Sequence, residues 1–271
     1  MHELPTIAFL GAGQMAEAVL RGLLRAHTPP HRLFASDIRR ERLDYLASAL
    51  GIQVCESNQE ALQRAEVAVI AVKPQDTPAL LAEMQQGVHP GHLVISVAAG
   101  VKLATLEAAL PPGVPVIRVM PNTPAFVSEG MAVIARGRHA TEAHEAVARR
   151  IFESVGRVLA LPESKMDAVT ALSGSGPGFV AVLIEALADG GVAAGLPRDT
   201  ALLLAAQTVL GTARLVLERE LHPAVIKDMV ASPAGTTIAG LAVLEEAGVR
   251  GALIRAVLAA THRSEELGRL A

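Results

Sequence analysis

A glycine-rich turn near the amino terminus is the first segment whose residue types could do chemistry. Gly11 and Gly13 follow the apolar run Thr6 to Leu10, and Ala16 completes a G-x-G-x-x-A pattern that opens a helix. The first glycine permits a tight turn, the second leaves room for a pyrophosphate, and the alanine allows close helix packing. Free N–H groups at the helix start favour an anion. We therefore predict a dinucleotide site with contacts from Gly11, Gly13, Gln14 and Met15.

The residues after the second predicted strand govern the choice of cofactor. Asp37 stands where a dinucleotide fold meets the adenosine ribose, and an acid there accepts from a free 2′-hydroxyl, which favours NAD. Arg39 and Arg40 favour NADP because a guanidinium can pair with a 2′-phosphate, although both could instead form the solvated first turn of a helix. The balance leans towards NADP (NADPH), with NAD (NADH) as the alternative. The predicted contacts are Ser36, Asp37, Arg39 and Asn58.

Three later segments also follow predicted strands and therefore lie at the same edge of the sheet. They are Ala71 to Pro74, Ser96 to Gly100 and Met120 to Pro124. Small residues there let a flat nicotinamide lie close to the backbone, although they would also suit simple sheet–helix packing. Two prolines stiffen the last loop, whose amide side chain can bond a carboxamide or ribose. The predicted cofactor contacts are Ala71, Val72, Lys73, Pro74, Ala98, Ala99, Met120 and Asn122.

A hydroxyl-rich segment from Ser232 to Thr237, just before the apolar helical run at Ile238, predicts an anion site. Successive N–H groups at a helix start bind carboxylates, and flanking hydroxyls can bond a substrate nitrogen. A small amino or imino acid offers both groups. The alternative is an ordinary helix cap, in which Ser or Thr satisfies the first N–H groups. For the run Ser173 to Pro177 the alternative is likewise an ordinary helix start, with Ser as the cap.

Two kinds of fold position these segments. In the first half, short β-branched runs alternate with helical stretches such as Gln14 to Arg25, which indicates a parallel sheet. The predicted strands are Thr6–Leu10, Arg32–Asp37, Val67–Val72, His92–Val97, Val116–Val119, Met131–Ala135 and Val158–Leu161, with a helix at Glu142–Ser154. We predict an α/β Rossmann-type doubly wound domain over residues 1–161 and an all-α domain over residues 162–271.

The predicted helical domain is unusually apolar. Its helical runs are Gly178–Ala194, Arg198–Arg219, Ile238–Ala247 and Arg250–Leu270. The stretch Ala201 to Val209 is apolar nearly all round, whereas a surface helix carries a polar stripe. Burial between subunits explains this pattern, and a central helix in a monomeric bundle is the alternative. We predict a homo-oligomer formed through this domain.

Composition narrows the class of partner. The 271 residues are 51% hydrophobic and carry a formal charge of −3, so no basic field exists to hold a nucleic acid. The single cysteine, Cys55, rules out an intramolecular disulfide and every multi-cysteine zinc pattern. We expect a small-molecule partner, no metal and a cytoplasmic location. We also expect no membrane span, because Glu185 and Asp189 interrupt the apolar run from Phe179 onward.

Motifs along the whole chain resemble the pyrroline-5-carboxylate reductase family. They are GAGQMAEA, AVKP, SVAAGV, RVMPNTPAFVSEGM, LSGSGPGF, DGGVAAGLPR, HPAVIKDMV and SPAGTTIAGLAVLEE. The first is shared with many dehydrogenases, whereas the MPNTPA loop followed by Ser-Pro-x-Gly-Thr-Thr is far more restrictive. The resemblance implies NAD(P)H-dependent reduction of 1-pyrroline-5-carboxylate to L-proline, the last step of proline biosynthesis. It also implies a homo-oligomer, either a dimer or dimers assembled into a decamer.

The resemblance assigns roles in the helical half as well. Substrate contacts are implied at Ser175, Ser232, Gly235, Thr236 and Thr237, and catalytic roles at Thr237, which would bond the ring nitrogen, and Glu220. The chain departs from the family at Ala234, where a glycine is frequent, and at Phe179, where a tyrosine is common. The methyl group of Ala234 is expected to narrow the carboxylate cradle.

Other functions compete with this prediction. A β-hydroxyacid dehydrogenase needs a lysine early in the helical domain, and Lys165, the only lysine near that point, lies in a polar linker. A reductase of another cyclic imino acid would keep the same chemistry with a different ring. A non-catalytic dinucleotide-binding sensor would need no hydroxyl-rich substrate cradle.

Overall fold

The chain forms two compact units in the computed structural model, which describes residues 3–270. The first unit runs through Ser175 and includes the chain again from Ala259, and the second runs from Gly176 to Leu258. The division therefore falls later than the predicted boundary at residue 161. The difference has a local reason: the short helix Met166–Val169 and the π-helical turn Thr170–Gly174 pack on the sheet of the first unit.

An eight-stranded sheet forms the first unit within the described residues. Its strands are β1 Ile7–Leu10, β2 Leu33–Ser36, β3 Gln53–Val54, β4 Val67–Ile70, β5 Leu93–Ser96, β6 Val116–Met120, β7 Gly130–Arg136 and β8 Gly156–Ala160. The order is β3-β2-β1-β4-β5-β6-β7-β8, and β1 to β6 pair in parallel. This confirms the predicted doubly wound fold. The seven predicted strands are present, and the two-residue β3 was not predicted.

Helices cover both faces of this sheet. They are α1 Gln14–Arg25, α2 Arg40–Leu50, α3 Asn58–Arg64, α4 Thr77–Met84, α5 Leu103–Ala109, α6 Glu142–Glu153 and α7 Met166–Val169. Within β1, Ile7 and Phe9 pack into one hydrophobic core while Ala8 and Leu10 pack into the other. Side chains alternate across a strand, so a strand apolar at every position is buried on both faces. The cores thus fix all the parallel strands with their carboxyl ends at one edge.

The last two strands depart from the parallel pattern. Strand β7 runs antiparallel to β6, and β8 pairs in parallel with β7. Only a short 3-10 helix, Thr123–Val127, lies between β6 and β7. An antiparallel pair can be joined by such a short connection, whereas a parallel pair needs a longer crossover.

The second unit is helical. It contains α8 Gly176–Ala193, α9 Arg198–Arg219, α10 Pro223–Val230, α11 Thr236–Glu246 and the beginning of α12 Val249–Leu270. Helix α9 has the predicted bounds, and α10 was not predicted. Helices α8 and α9 pack through the small residues Ala188, Ala201 and Ala205. They border an apolar groove of about 220 Å³ lined by Leu187, Leu204 and their neighbours.

Much apolar surface of the second unit lies open on the single chain. Leu203 is 68% exposed and Val182 is 63% exposed, against the usual placement of such side chains. Among the described helices, two stretches, Glu163–Ala193 and Arg198–Arg219, are long and apolar enough to cross a membrane on length and composition alone. The expectation that Glu185 and Asp189 disqualify the first stretch is therefore wrong by this criterion. Core helices of soluble proteins also pass it.

Candidate active site

Gly11 joins three strand ends. Its N–H donates to the carbonyl of Ser36 at 2.8 Å, and its φ is +100°, a left-handed backbone. A Cβ at this position would lie 2.8 Å from the carbonyl carbon of Ala71 and 2.9 Å from the side chain of Val72. Only glycine tolerates both the angle and the approach. The structure thus brings together the predicted residues Gly11, Ser36, Ala71 and Val72.

Gly13 keeps the start of α1 open. It is the N-cap residue and has no side chain with which to cap the first N–H groups. Among the described residues, the nearest neighbour of a Cβ placed there would be the carbonyl oxygen of Ala71, 4.0 Å away. Gln14 is exposed and Met15 is half-buried in the first turn. This geometry leaves free space and unpaired donors where a pyrophosphate group would bind.

The peptide of Ala12, between the two glycines, is held from both sides. The Oδ2 atom of Asp37 accepts from its N–H at 2.8 Å, and Nε of Arg42 donates to its carbonyl at 2.6 Å. Arg42 also pairs with Glu17 on α1. Sequence reasoning missed Arg42 and Glu17, because Arg42 bonds a backbone carbonyl 30 positions away and Glu17 acts through Arg42, so neither leaves a motif. The turn is therefore positioned before any cofactor binds.

Asp37 was predicted to meet the ribose, but its carboxylate is engaged inside the protein. Its side chain is 7% exposed, and Oδ1 accepts from the backbone N–H of Arg39 at 2.9 Å and from its Nε at 3.1 Å. Burial alone raises the pKa of Asp37, but the hydrogen bonds from Arg39 and Ala12 outweigh it and hold the pKa below its ordinary value. The carboxylate stays ionised and its charge is offset by Arg39.

Arg39 and Arg40 lie at the start of α2, as the alternative prediction of a solvated first helical turn requires. Arg39 is the N-cap residue of α2, and Arg40 is its first residue. Arg40 is paired with Asp44 at 3.0 Å and with Glu56. Both guanidinium groups are more than half exposed. They form a solvated first turn that follows the end of β2, where the adenosine ribose is predicted to bind.

Ser36 and Asn58, both predicted cofactor contacts, lie side by side. The Ser36 hydroxyl donates to Oδ1 of Asn58 at 2.7 Å, and Nδ2 of Asn58 donates to Glu83 at 2.6 Å. Ser36 ends β2 and Asn58 begins α3, so two adjacent elements present polar atoms together. The pair forms a polar corner at the end of β2, three residues before Arg39.

The remaining predicted nicotinamide contacts also follow strand ends. Lys73 and Pro74 are exposed after β4. Ala98 is buried after β5, where its N–H contacts the hydroxyl of Ser96 at 3.3 Å, and Ala99 is exposed. These small and exposed residues lie at the same sheet edge as the glycine turn, since β1, β4 and β5 are parallel.

Asn122, by contrast, has its side chain occupied. Its Oδ1 accepts from the N–H of Met131 at 2.8 Å, and its Nδ2 donates to the carbonyl of Ser173 at 3.0 Å. Ser173 was interpreted as a possible helix cap, but its hydroxyl donates back to Val169 within the π-helical turn. Ser173 is therefore not a helix cap, although α8 does begin within this run, at Gly176, with Pro177 in its first turn. Ser175 ends the turn half-buried.

In the second unit, Ser232 to Thr237 build an uncapped helix start. The N-cap is Gly235, and α11 begins at Thr236, two positions before the predicted Ile238. The alternative, a helix capped by Ser or Thr, is therefore wrong, since the N-cap residue has no side chain. A Cβ at Gly235 would lie 2.2 Å from Oγ of Ser232, so the glycine lets the serine hydroxyl approach. Thr237 is half-buried, whereas Ser232 and Thr236 are exposed.

Two residues near this segment have left-handed backbones. Ala234 has φ +55°, a conformation that costs a residue with a Cβ about 1–2 kcal/mol, which gives a physical reason for glycine there in the family pattern. Glu220 has φ +53° and is exposed at the end of α9. His222 then caps α10, because its Nδ1 accepts from the N–H of Ala224 at 3.2 Å. His222 is therefore the N-cap residue of α10.

A buried ion pair is a second feature that sequence reasoning missed. Arg118 on β6 is 4% exposed and donates to Oε1 of Glu163 at 3.0 Å, and the same oxygen accepts from the N–H of Leu103 at 2.7 Å. Glu163 lies just before α7. This pair ties the segment that ends in the π-helical turn to the centre of the sheet.

The sheet order, the glycine turn and the free start of α1 define a dinucleotide-binding oxidoreductase fold. Residues 6–100 match the family model described as NADP oxidoreductase, coenzyme F420-dependent, and residues 163–267 match the model described as pyrroline-5-carboxylate reductase dimerisation. The second match begins close to the predicted boundary at residue 161.

Relatives with known names agree across the whole chain. A pyrroline-5-carboxylate reductase of Methanosarcina acetivorans is 48% identical over 97% of this chain and 98% of its own. The solved structure of the Coxiella burnetii enzyme has a TM-score of 0.93 at 33% identity, covering 98% of this chain and 99% of its own. The Plasmodium falciparum pyrroline carboxylate reductase, solved with NADP bound, has a TM-score of 0.87 at 29% identity, covering 99% and 100%. The chain belongs to the pyrroline-5-carboxylate reductase family.

Proposed function

We propose that this protein reduces 1-pyrroline-5-carboxylate to L-proline with NADPH. The observation that carries the proposal is the presence, in a member of this family, of one uncapped helix start in each unit. One, at Gly13, suits the cofactor pyrophosphate, and the other, at Gly235, suits a small carboxylate. Hydroxyl groups of Ser232, Thr236 and Thr237 flank the second.

The residues present fit a nicotinamide dinucleotide, and its bound form supplies the hydride. The protein has to position and polarise the imine. The N–H groups at the start of α11 and the hydroxyl of Ser232 would hold the substrate carboxylate, and the hydroxyl of Thr237 would orient the ring nitrogen. A protonated imine already accepts hydride readily, so no strong protein acid is required. Glu220, exposed after α9, is proposed to favour the protonated form by its charge.

Replacement of Thr237 tests this assignment. Thr237→Val keeps the shape of the side chain and removes the hydroxyl, whereas Thr237→Ser keeps the hydroxyl. We expect the valine variant to lose about 10- to 100-fold in kcat/KM for the imine, a loss typical of one well-placed hydrogen bond. The Kd for NADPH should stay within experimental error. The serine variant should retain most activity. Equal kcat/KM for the valine variant and the unmodified protein would contradict the role of Thr237.

The assay also separates the competing functions. Oxidation of NADPH in the presence of 1-pyrroline-5-carboxylate supports a reductase, and faster turnover of the six-membered piperideine ring would indicate another cyclic imino acid. Binding of NADPH without turnover of either ring would indicate a sensor. Oxidation of a β-hydroxyacid would indicate a dehydrogenase, for which Lys165 would have to act as the base.

NADPH is the proposed preferred cofactor, with NADH as the second. Arg39, whose side chain is 55% exposed, supplies positive charge and N–H donors for a 2′-phosphate. Asp37 does not oppose this, because its carboxylate binds Ala12 and Arg39. We expect Arg39→Ala to lower kcat/KM for NADPH much more than for NADH. Equal losses for both would remove the 2′-phosphate role.

We further propose a homodimer built through the second unit, able to assemble into a decamer, in the cytoplasm. The support is the exposed apolar surface of α8 and α9 together with the dimerisation description of the matching family model. Leu203→Asp on α9 should dissociate the dimer in light-scattering measurements. Val127→Asp is the matched control, because Val127 is equally exposed but lies in the first unit. An unchanged molar mass for Leu203→Asp would reject this surface as the interface.

A further inference from the structure

The side-chain amide of Asn122 bridges two backbone groups that are far apart along the chain. Its oxygen accepts from Met131, nine positions later, and its nitrogen donates to Ser173, 51 positions later. Met131 lies near the start of β7, and Ser173 lies in the π-helical turn. A partly buried backbone group needs a partner, so this one amide serves both elements.

The sequence of the π-helical turn explains why Ser173 needs an outside donor. In a continuing helix its carbonyl would accept from the N–H four positions later, but that residue is Pro177, which has no N–H. The turn uses wider bonds, with the N–H of Ser175 donating to Thr170 at 2.8 Å. The carbonyl of Ser173 is then satisfied by Asn122. Such π-helical turns occur frequently at functional sites.

A second contact joins the end of β6 to the π-helical turn. A Cβ at Gly174 would lie 2.6 Å from the terminal methyl of Met120, so any residue other than glycine here would force an atom to move. Met120 ends β6, two residues before Asn122. The strand end and the π-helical turn are thus fastened at two adjacent points, one apolar and one by hydrogen bonds.

We propose that Asn122 is a positioning residue for hydride transfer and not a ligand of the nicotinamide carboxamide. It fixes the end of β6, at Met120, against the segment Ser173 to Ser175, the residues of the first unit that directly precede α8. The inference rests on the proposed function and on two contacts predicted from the sequence, that of Met120 with the cofactor and that of Ser175 with the substrate. Holding both segments in one arrangement would set the distance between hydride donor and acceptor.

The variant Asn122→Asp separates positioning from binding. An aspartate keeps an oxygen for the N–H of Met131 but presents an oxygen in place of the donor to Ser173, so the bridge opens on one side. A misplacement of about 1 Å costs roughly 100-fold in rate. We expect kcat per NADPH-binding site to fall about 10- to 100-fold, within that range, while the Kd for NADPH changes less than about threefold.

The matched control is Gln85→Glu. Its Nε2 donates to the carbonyl of Ala109 at 3.0 Å on the exposed surface, so the same amide-to-acid change removes the same kind of bond elsewhere in the unit. Its kcat should be unchanged. Should Asn122→Asp not fold, Asn122→Ser, which retains a short donor, replaces it in the same comparison.

Each result decides the proposal. A fall in kcat with an unchanged Kd supports positioning. A Kd weakened by the factor seen in kcat would make Asn122 a direct cofactor ligand, and a lowered melting temperature with unchanged kcat would make the bridge purely structural. Either overturns the proposal. Failure of the proposed function itself would be visible beforehand, as an unmodified protein that does not turn over the imine.

Discussion

Replacing Gly11 with alanine tests the argument for the glycine turn most directly. The backbone there is left-handed, which costs an alanine about 1–2 kcal/mol. The added methyl would also lie 2.8 Å from a backbone carbon of Ala71, which cannot swing away as a side chain could. Such overpacking costs about 1–3 kcal/mol. The expected loss is therefore about 2–5 kcal/mol of unfolding free energy.

The control is the neighbouring variant Gly13→Ala, which should change stability little and weaken NADPH binding. Its φ is −68°, and the added methyl would enter open space. Alanine is a poorer N-cap than glycine, so the stability loss should be about 1 kcal/mol or less. The methyl would occupy the space predicted for the pyrophosphate, so NADPH affinity should fall. We therefore expect Gly11 to be needed for folding and Gly13 for NADPH binding.

Thermal unfolding at a fixed protein concentration measures the first effect, and NADPH titration measures the second. At about 2–4 °C per kcal/mol for a domain of this size, Gly11→Ala should melt roughly 4–20 °C lower. Gly13→Ala should melt within about 4 °C of the unmodified protein and bind NADPH more weakly. An unchanged melting temperature for Gly11→Ala would refute the steric reasoning. Unchanged NADPH affinity for Gly13→Ala would refute the placement of the pyrophosphate.

Three further substitutions probe the network around the site. Arg42→Lys should raise KM for NADPH severalfold with kcat unchanged, because a lysine cannot hold the Ala12 carbonyl and Glu17 together; steady-state kinetics decide this. Asp37 has a lowered pKa when folded, so its contribution to stability is present above its ordinary value near ~3.9 and is lost as pH falls below it. The melting difference between the protein and Asp37→Asn should therefore be constant from neutral pH to about pH 5 and shrink below about pH 4; growth of that difference on acidification would contradict the assignment. Glu163→Gln leaves buried Arg118 without its counter-charge, a change that typically costs about 3–5 kcal/mol of unfolding free energy. Because the Glu163 side chain is 30% exposed, we expect a loss at or below the lower end of that range. An unchanged melting temperature would show that the pair is not needed.

Elements with strong periodicity could be predicted from sequence. The parallel strands appear within one or two residues of their predicted ends, because β-branched runs bounded by turn residues are unambiguous when buried on both faces. Both predicted ends of α9 are confirmed. Pro197 is its N-cap residue, and Glu220, with a left-handed backbone, ends it. The two-residue β3 was missed because so short a segment carries no period.

The partners of residues engaged in long-range hydrogen bonds could not be predicted from the sequence. Asp37 and Asn122 carry ligand-binding side chains at ligand-binding strand ends, so the sequence favoured direct contacts with the cofactor. Their actual partners are backbone groups 25 and 51 positions away, which no local pattern encodes. Arg42 escaped notice for the same reason. Backbone partners leave no trace in residue type.

The exposed amino terminus of α1 has a practical consequence for solution work. Its first-turn N–H groups face space that any small oxyanion can enter. Phosphate or sulfate in a buffer would compete with the dinucleotide there, so apparent Michaelis constants should rise with buffer phosphate at constant ionic strength. Enzymologists should therefore choose an amine buffer with chloride before comparing variants.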